Sequence, residues 1–185
     1  MLIGLTGSFG AGKGAVVEYL KEKGFAHYSA RAYIVEKLNE EGKEVNRDSM
    51  IAMGNTLREK YGPGHVLETL IERANNASEN VVVESLRAVA EVHAVRAAGG
   101  FILGVDADPK VRYERAYLRG SETDNVSFEE WKQQEDIENN TEDPTKQNIQ
   151  GALALSDVVV MNDGSFEDLY KQVDAALLSF SKKED

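Results

Sequence analysis

Short, almost wholly apolar runs alternate along this chain with longer stretches in which apolar residues recur every three or four positions. Met1–Leu5, Phe25–Tyr28, Val81–Val83, Phe101–Val105 and Val158–Met161 are the short runs. They read as strands, and Val81–Val83, too short and too uniformly β-branched for a helix, and Phe101–Val105 fit strands buried on both faces. The longer periodic stretches predict helices over Ala15–Glu22, Ala30–Glu41, Asp48–Tyr61, Val66–Ala77, Ala88–Ala98, Pro109–Arg119, Thr145–Leu155 and Phe166–Phe180. Gly24, Gly42, Gly62-Pro63-Gly64 and Gly99-Gly100 punctuate them, and Pro109 stands where a first helical turn tolerates it. Strands alternating with helices predict an α/β fold, a three-layer α/β/α arrangement around a five-stranded parallel sheet. Right-handed crossovers would then bring segments 7–14, 29–31, 84–87, 106–108 and 162–164 together at the carboxyl ends of the strands.

The pattern breaks between 120 and 144, where nine acidic residues stand against one basic residue, Lys132. Phe128, Trp131 and Ile137 inside it still suggest an enclosed helix, and a lid insertion at about 120–145 is expected. The 185 residues otherwise suit a single domain, with no linker rich enough in Pro, Gly or Ser to divide it.

A formal charge of −11 argues against a sequence-independent nucleic-acid binder, which gains its affinity by neutralising phosphates. The chain has no cysteine, and His27, His65 and His93 lack mutual ligand spacing, so no thiolate or histidine metal centre is indicated. Nothing approaches a membrane span, and the start lacks a basic region followed by a long apolar one, so a cytoplasmic protein is expected. Composition leaves the oligomeric state open.

The candidate chemistry begins directly after the first strand, at Gly7-Ser8-Phe9-Gly10-Ala11-Gly12-Lys13-Gly14-Ala15. Glycines at 7, 10, 12 and 14 let the backbone turn tightly with several N–H groups inward, and the following helix adds its positive end. Lys13 would set its ammonium on the β- and γ-phosphates of a polyphosphate. A strand, a glycine-rich turn and a helix in this order form a phosphate-binding loop.

The Gly-Lys-Gly form of this loop resembles that of adenylate kinases and related nucleoside monophosphate kinases. Where the usual loop has a Ser or Thr ligand for magnesium, this chain has Gly14, and where those kinases continue with Thr it has Ala15. The resemblance implies a P-loop NTPase fold, ATP as phosphoryl donor and Mg²⁺ as its counter-ion. Glu84-Ser85-Leu86-Arg87 resembles the Asp-Gly-x-Arg segment of that group, implying Glu84 for the metal and Arg87 for an acceptor phosphate. Arg115 and Arg119, on a helix that also carries Arg112, lie where such kinases place arginines that act on the transferring group. Ser29 and Arg31 resemble the start of an acceptor site, within a helical segment at about 29–78, with Arg58 and Arg47 as further candidates. The stretch Ser156–Ser165 resembles the last strand and turn of dephospho-CoA kinases, implying adenine contacts from the backbone around Asn162 and Gly164.

Taken together these resemblances imply transfer of the γ-phosphoryl group to a nucleoside monophosphate or another nucleotide-like small molecule. A dephospho-CoA-kinase-like enzyme acting on a hydroxyl is the first alternative, although the Asp-rich segment expected there reads Tyr28-Ser29-Ala30-Arg31. An ATP-hydrolysing switch protein without a small acceptor is the second. Lid carboxylates close to a polyphosphate would repel it, so the acidic residues are expected to face solvent when the lid closes.

Overall fold

The structure, a computed structural model, describes residues 1–75, 79–119, 127–139 and 148–184, without the side chains at 47, 75, 119, 134, 137–139 and 183–184. In chain order the elements are β1 (Leu2–Gly7), α1 (Lys13–Glu22), β2 (Ala26–Ser29), α2 (Ala30–Glu40), α3 (Arg47–Tyr61) and α4 (His65–Asn75). They continue as β3 (Val81–Leu86), α5 (Val89–Ala97), β4 (Phe101–Asp106), α6 (Pro109–Arg119), α7 (Phe128–Asn139), α8 (Ile149–Ala154), β5 (Val158–Met161) and α9 (Phe166–Glu184).

All strand pairs are parallel, in the order β2-β3-β1-β4-β5. The chain builds β2 and β3 on one side of β1, then crosses to build β4 and β5 on the other. The carboxyl end of β1 is therefore a topological switch point, where a crevice opens between diverging connections.

Alternating side chains of the strands feed two separate cores. Ile3, Leu5, Val82, Leu103 and Val105 pack with Val16, Val17 and Leu20 of α1 and with Leu169, Val173 and Phe180 of α9. Val81, Val83, Leu86 and Ile102 pack on the other face with Leu57, Leu67, Leu70, Val92 and Val95. Each such side chain contributes about 1.5–3 kcal/mol through its removal from water. Gly4 keeps β1 close to this second layer, since a Cβ there would lie 3.0 Å from side-chain carbons of both Leu86 and Val95.

The predicted elements differ from the observed ones mainly at their ends. Strands β3 and β4 continue to Leu86 and Asp106, so Glu84 and Ser85 belong to a strand and not to the loop after it. Helix α1 begins at Lys13, two residues before the pattern predicts, because glycines hide the start of its periodicity. Asn148 caps α8 by accepting from the Gly151 N–H at 2.7 Å, and the predicted start at Thr145 lies outside the described residues. Of the expected lid at about 120–145, residues 120–126 and 140–145 also lie outside them.

Two polar devices hold the layers in place. Glu91, at the first turn of α5, is fully buried and accepts the Arg87 and Ala88 N–H groups at 2.7 and 3.2 Å through Oε2. Its Oε1 receives the buried Arg58 of α3 at 3.0 Å from Nη2 and 3.3 Å from Nε. At the sheet edge, the Gln172 side chain of α9 accepts the Met161 N–H and donates to the Met161 carbonyl, both at 2.9 Å.

Removing one member of a buried ion pair strands the other without solvent. Glu91→Ala should lower the unfolding free energy by about 3–5 kcal/mol, as measured by urea denaturation. Glu91→Gln, which keeps an acceptor for the helix-start N–H groups, should cost less.

Candidate nucleotide site

The loop from Gly7 to Lys13 owes its shape to crowding on three sides. A Cβ on Gly7 would sit 2.2 Å from the Val105 carbonyl oxygen, one on Gly10 2.6 Å from the Arg112 carbonyl oxygen, and one on Gly12 2.2 Å from Asn162 Nδ2. Gly10 and Gly12 are also left-handed, with φ of 77° and 94°. Gly14 differs, because a Cβ there would meet no described atom within 4 Å, so its smallness leaves room at the mouth of the loop.

Within the turn, the Ala11 N–H donates to the Ser8 carbonyl at 3.2 Å and the Ala15 N–H to the Gly12 carbonyl at 3.0 Å. Asn162, buried after β5, donates through Nδ2 to the Ala11 carbonyl at 2.9 Å and so braces the loop from behind.

Lys13 curls back over this turn, its Nζ donating to the Gly7 and Ser8 carbonyls at 2.7 and 2.9 Å. Burial is the largest influence on its ammonium and, with Arg87 and Arg112, pushes its pKa down to about 8 against the opposing pull of Glu84 and Asp106. A lysine that gives up its proton this readily gains strongly from a nearby anion. Ser8 Oγ, Arg115 Nη1 and Asn162 Oδ1 are buried with no hydrogen-bond partner among the described residues. Arg115 Nη1 lies 4.0 Å from the position of a Cβ on Gly12. Unpartnered buried groups are costly in a fold, and three of them around one loop fit a polar ligand there.

Glu84 lies near the carboxyl end of β3, two residues before its end at Leu86, beside this loop. His27 Nε2, 3.4 Å from Glu84 Oε1, is the largest influence holding its carboxyl below the ordinary value, although at that distance the contact lacks hydrogen-bond alignment. Ser29 and Lys13 act in the same direction and burial acts against them. Ser85 follows with φ of 73°, left-handed and the one non-glycine residue with positive φ among those described. The ladder between β1 and β3 slips at this residue, with Leu5 opposite Glu84 and Thr6 opposite Leu86. The Thr6 hydroxyl donates to the Leu86 carbonyl at 2.9 Å and closes the irregularity. Arg87 is exposed just beyond, near enough to Lys13 to affect its proton.

The other expected residues divide into those that reach this crevice and those that do not. Ser29 caps α2 by accepting the Ala32 N–H at 3.4 Å, and Arg31 is exposed in the first turn of that helix. The guanidinium of Arg58 is enclosed against Glu91, so an acceptor contact would have to displace a buried ion pair. The Arg119 side chain lies outside what is described.

Of the backbone groups around Asn162 and Gly164 expected at adenine, the Asn162 N–H donates to the Asp106 carbonyl at 2.8 Å. Gly164 lies in an exposed turn. Glu129, Glu130 and Asp136 are exposed, whereas Glu135 is turned inward to Arg112. The sequence named Arg112 without a role of its own and gave none to Asp106 or the side chain of Asn162; Arg112 and Asn162 matter through partners distant in the chain, Glu135 and Ala11.

A carboxylate at each neighbouring strand end, Glu84 on β3 and Asp106 on β4, is the donor set at the loop that suits a hard divalent cation. Among the described residues no three acidic or histidine side chains cluster closely enough to hold a metal alone.

Residues 3–144 match the model of an AAA domain family. A UPF0200 protein of Methanocaldococcus jannaschii is 31% identical over 184 residues, covering 96% of this chain and 89% of that one. Another, of Sulfurisphaera tokodaii, is 29% identical over 182 residues, covering 95% of each. Among solved structures, TT1252 from Thermus thermophilus superposes with a TM-score of 0.67 at 20% identity, covering 97% of both chains. Shikimate kinase from Aquifex aeolicus vf5 superposes at 0.57 with 19% identity over 98% of both chains. A gluconokinase from Sinorhizobium meliloti 1021 gives 0.57 at 18% identity, covering 98% of this chain and 93% of that one. These are likenesses of fold, a P-loop kinase-like one. Among the described residues no helix is long and apolar enough to cross a membrane.

The strained position at the end of β3 gives a test of the local geometry. Ser85→Gly should raise the unfolding free energy by about 0.5–1 kcal/mol in urea titration, since left-handed backbone costs a residue with a Cβ more than it costs glycine. Ser85→Val should lower it.

Proposed function

The chain belongs to the UPF0200 family and to the AAA domain family, and from that premise we propose that it is an ATP-dependent phosphotransferase acting on a nucleoside monophosphate or related nucleotide-like acceptor. The observation that carries the reading is Lys13, half-buried with a weakened hold on its proton inside a glycine loop that opens between Glu84 and Arg115. In this reading the loop at residues 7–15, through the N–H groups not already bonded within the turn, and Lys13 hold the donor's phosphates. Glu84, with Asp106, would hold Mg²⁺, which neutralises phosphate charge when bound. Arg87 and Arg31 orient the acceptor, and Arg115 with Arg119 offsets charge as the phosphoryl group moves. An acceptor oxygen bonds to the γ-phosphorus while the bond from that phosphorus to the β–γ bridging oxygen breaks, and ADP leaves with those electrons.

Glu84 supports a monophosphate acceptor over a hydroxyl one. A carboxyl held below its ordinary value is a poor proton acceptor and a ready metal ligand, whereas a hydroxyl nucleophile benefits from a base. A phosphate monoester already carries an anionic oxygen at neutral pH and needs clamping more than deprotonation. The structural likeness to kinases named for shikimate and gluconate keeps hydroxyl-bearing small molecules within the assay.

Mg²⁺-ATP should be incubated with ribo- and deoxynucleoside monophosphates, dephospho-CoA, hydroxy acids and a no-acceptor control, with products identified by mass. One phosphorylated product is expected, and Lys13→Ala should reduce its rate by at least about 100-fold. Phosphate release that ignores every acceptor would instead support a hydrolysing switch.

Lys13 also sets a pH dependence. Phosphates raise the proton affinity of an ammonium whose pKa in the ligand-free fold is about 8, so binding takes up a proton above that pH. The ATP dissociation constant should rise by up to about tenfold per pH unit above it, with calorimetric heats that depend on the buffer's ionisation enthalpy. Without ligand the sign reverses. The cost of burying charged Lys13 is fully present below about 8 and is relieved as pH rises toward 10.5.

A further inference from the structure

We propose that Arg112 and Glu135 form a positioning couple through which helix α7 sets the order of the phosphate loop. The inference deepens the nucleotide-site reading and rests on it for its consequence in binding.

The Arg112 side chain is buried, at 4% exposure, under the turn that joins β1 to α1. Its Nε donates to the Ala107 carbonyl at 3.0 Å and its Nη1 to the Phe9 carbonyl at 3.2 Å. Nη1 and Nη2 also grip the Glu135 carboxylate, the latter at 3.0 Å. Four of the five N–H groups of a guanidinium are thus engaged. The main chain of the same residue limits the loop too, since its carbonyl is what forbids a Cβ on Gly10. Arg112 therefore touches the turn at Phe9 with its side chain and at Gly10 with its backbone.

This arrangement separates Arg112 from the other cations of the site. Lys13 donates to two main-chain carbonyls of the turn, and Arg115 keeps a buried donor without a partner among the described residues. Arg112 has its charge balanced by Glu135, with Asp106 Oδ1 a further 3.6 Å away. It is spoken for by protein groups and does not act as a phosphate clamp. It connects three pieces of the fold, the loop through Phe9, the end of β4 through Ala107, and α7 through Glu135.

Helix α7 is seated on the same guanidinium by a second contact. The Trp131 ring lies 5.1 Å from Arg112 Cζ, and Tyr113 of α6 meets Trp131 and Phe128 edge-on at 6.0 and 5.5 Å. When α7 moves away, Arg112 loses the forked carboxylate of Glu135 and its aromatic cover together, and keeps only the longer contact to Asp106 at 3.6 Å. A guanidinium whose two terminal nitrogens lose their carboxylate is drawn toward solvent or toward Asp106, and either turn weakens the bond from Nη1 to Phe9. Docking of α7 and the ordered form of the turn are in this way one equilibrium.

The sign of the binding effect distinguishes positioning from simple electrostatics. Removing a carboxylate near a polyphosphate site should strengthen anion binding if charge alone mattered. Loss of loop order should weaken it. In Glu135→Gln we expect the Ala11 amide, which is bonded to Ser8, to exchange with deuterium about tenfold faster without ligand, relative to amides of Val82 and Leu103 in the central sheet. The ratio to the sheet amides removes any change in global stability. Arg112→Lys, which keeps the charge but loses the fork, should give the same acceleration.

The Mg²⁺-ATP dissociation constant of Glu135→Gln should rise about tenfold by calorimetry. Faster exchange confined to α7 with an unchanged ratio at Ala11 would overturn the coupling, as would tighter or unchanged ATP binding in a wild-type-like background. If the wild-type protein binds no Mg²⁺-ATP, the nucleotide reading fails, and the exchange ratio alone still decides whether Glu135 orders the loop.

Discussion

The crowding of backbone against backbone at the carboxyl end of β1 is the constraint from which the site's geometry descends. Gly7 presses on the carbonyl of Val105, Gly10 on that of Arg112 and Gly12 on the side chain of Asn162. A chain this tightly enclosed can reverse direction only with small residues, and it reverses with amide groups gathered at the start of α1. The position of that turn follows from the sheet. Flanked by β3 and β4, β1 lies where connections leave in opposite directions, so the loop opens into a crevice bordered by Glu84 and Asp106.

Cation chemistry then divides by partner and not by proximity. Lys13, Arg112, Arg115 and Arg58 all carry the same formal charge, yet their surroundings give them different uses. Burial weakens the proton affinity of Lys13, Glu135 neutralises Arg112, Glu91 encloses Arg58, and Arg115 retains a donor with no described partner. A charge already matched by a buried carboxylate contributes shape. A charge left unmatched contributes attraction for an anion.

This division explains what was readable along the chain. The loop announced itself because its requirements are local, four glycines and a lysine between an apolar run and a helical period. The parallel sheet was equally visible in runs such as Val81–Val83 and Phe101–Val105, whose β-branched and apolar content suits burial on both faces. Arg58 looked like an acceptor ligand because its partner, Glu91, stands 33 positions away and nothing in either neighbourhood announces the pairing. The role of Arg112 was hidden for the same reason, with Glu135 23 positions further on in a segment read as solvated acid. The irregularity at Ser85 escaped notice because serine carries no local mark of left-handed backbone, although the glycine expected by resemblance at that place was a clue.

The Gln172 clip on Met161 bears on how copies of this chain can meet. An outer strand normally offers its main chain as a template for another strand, and β5 leaves Val159 and Met161 partly uncovered on that side. The amide of Gln172 occupies the donor and acceptor of Met161 as a neighbouring strand would, so the sheet ends in a side chain that imitates backbone. Growth of the sheet past β5 is blocked at that register without proline, bulge or charge. Any association between copies is thereby steered toward helical faces or the β2 edge, away from continuous β-sheet assembly.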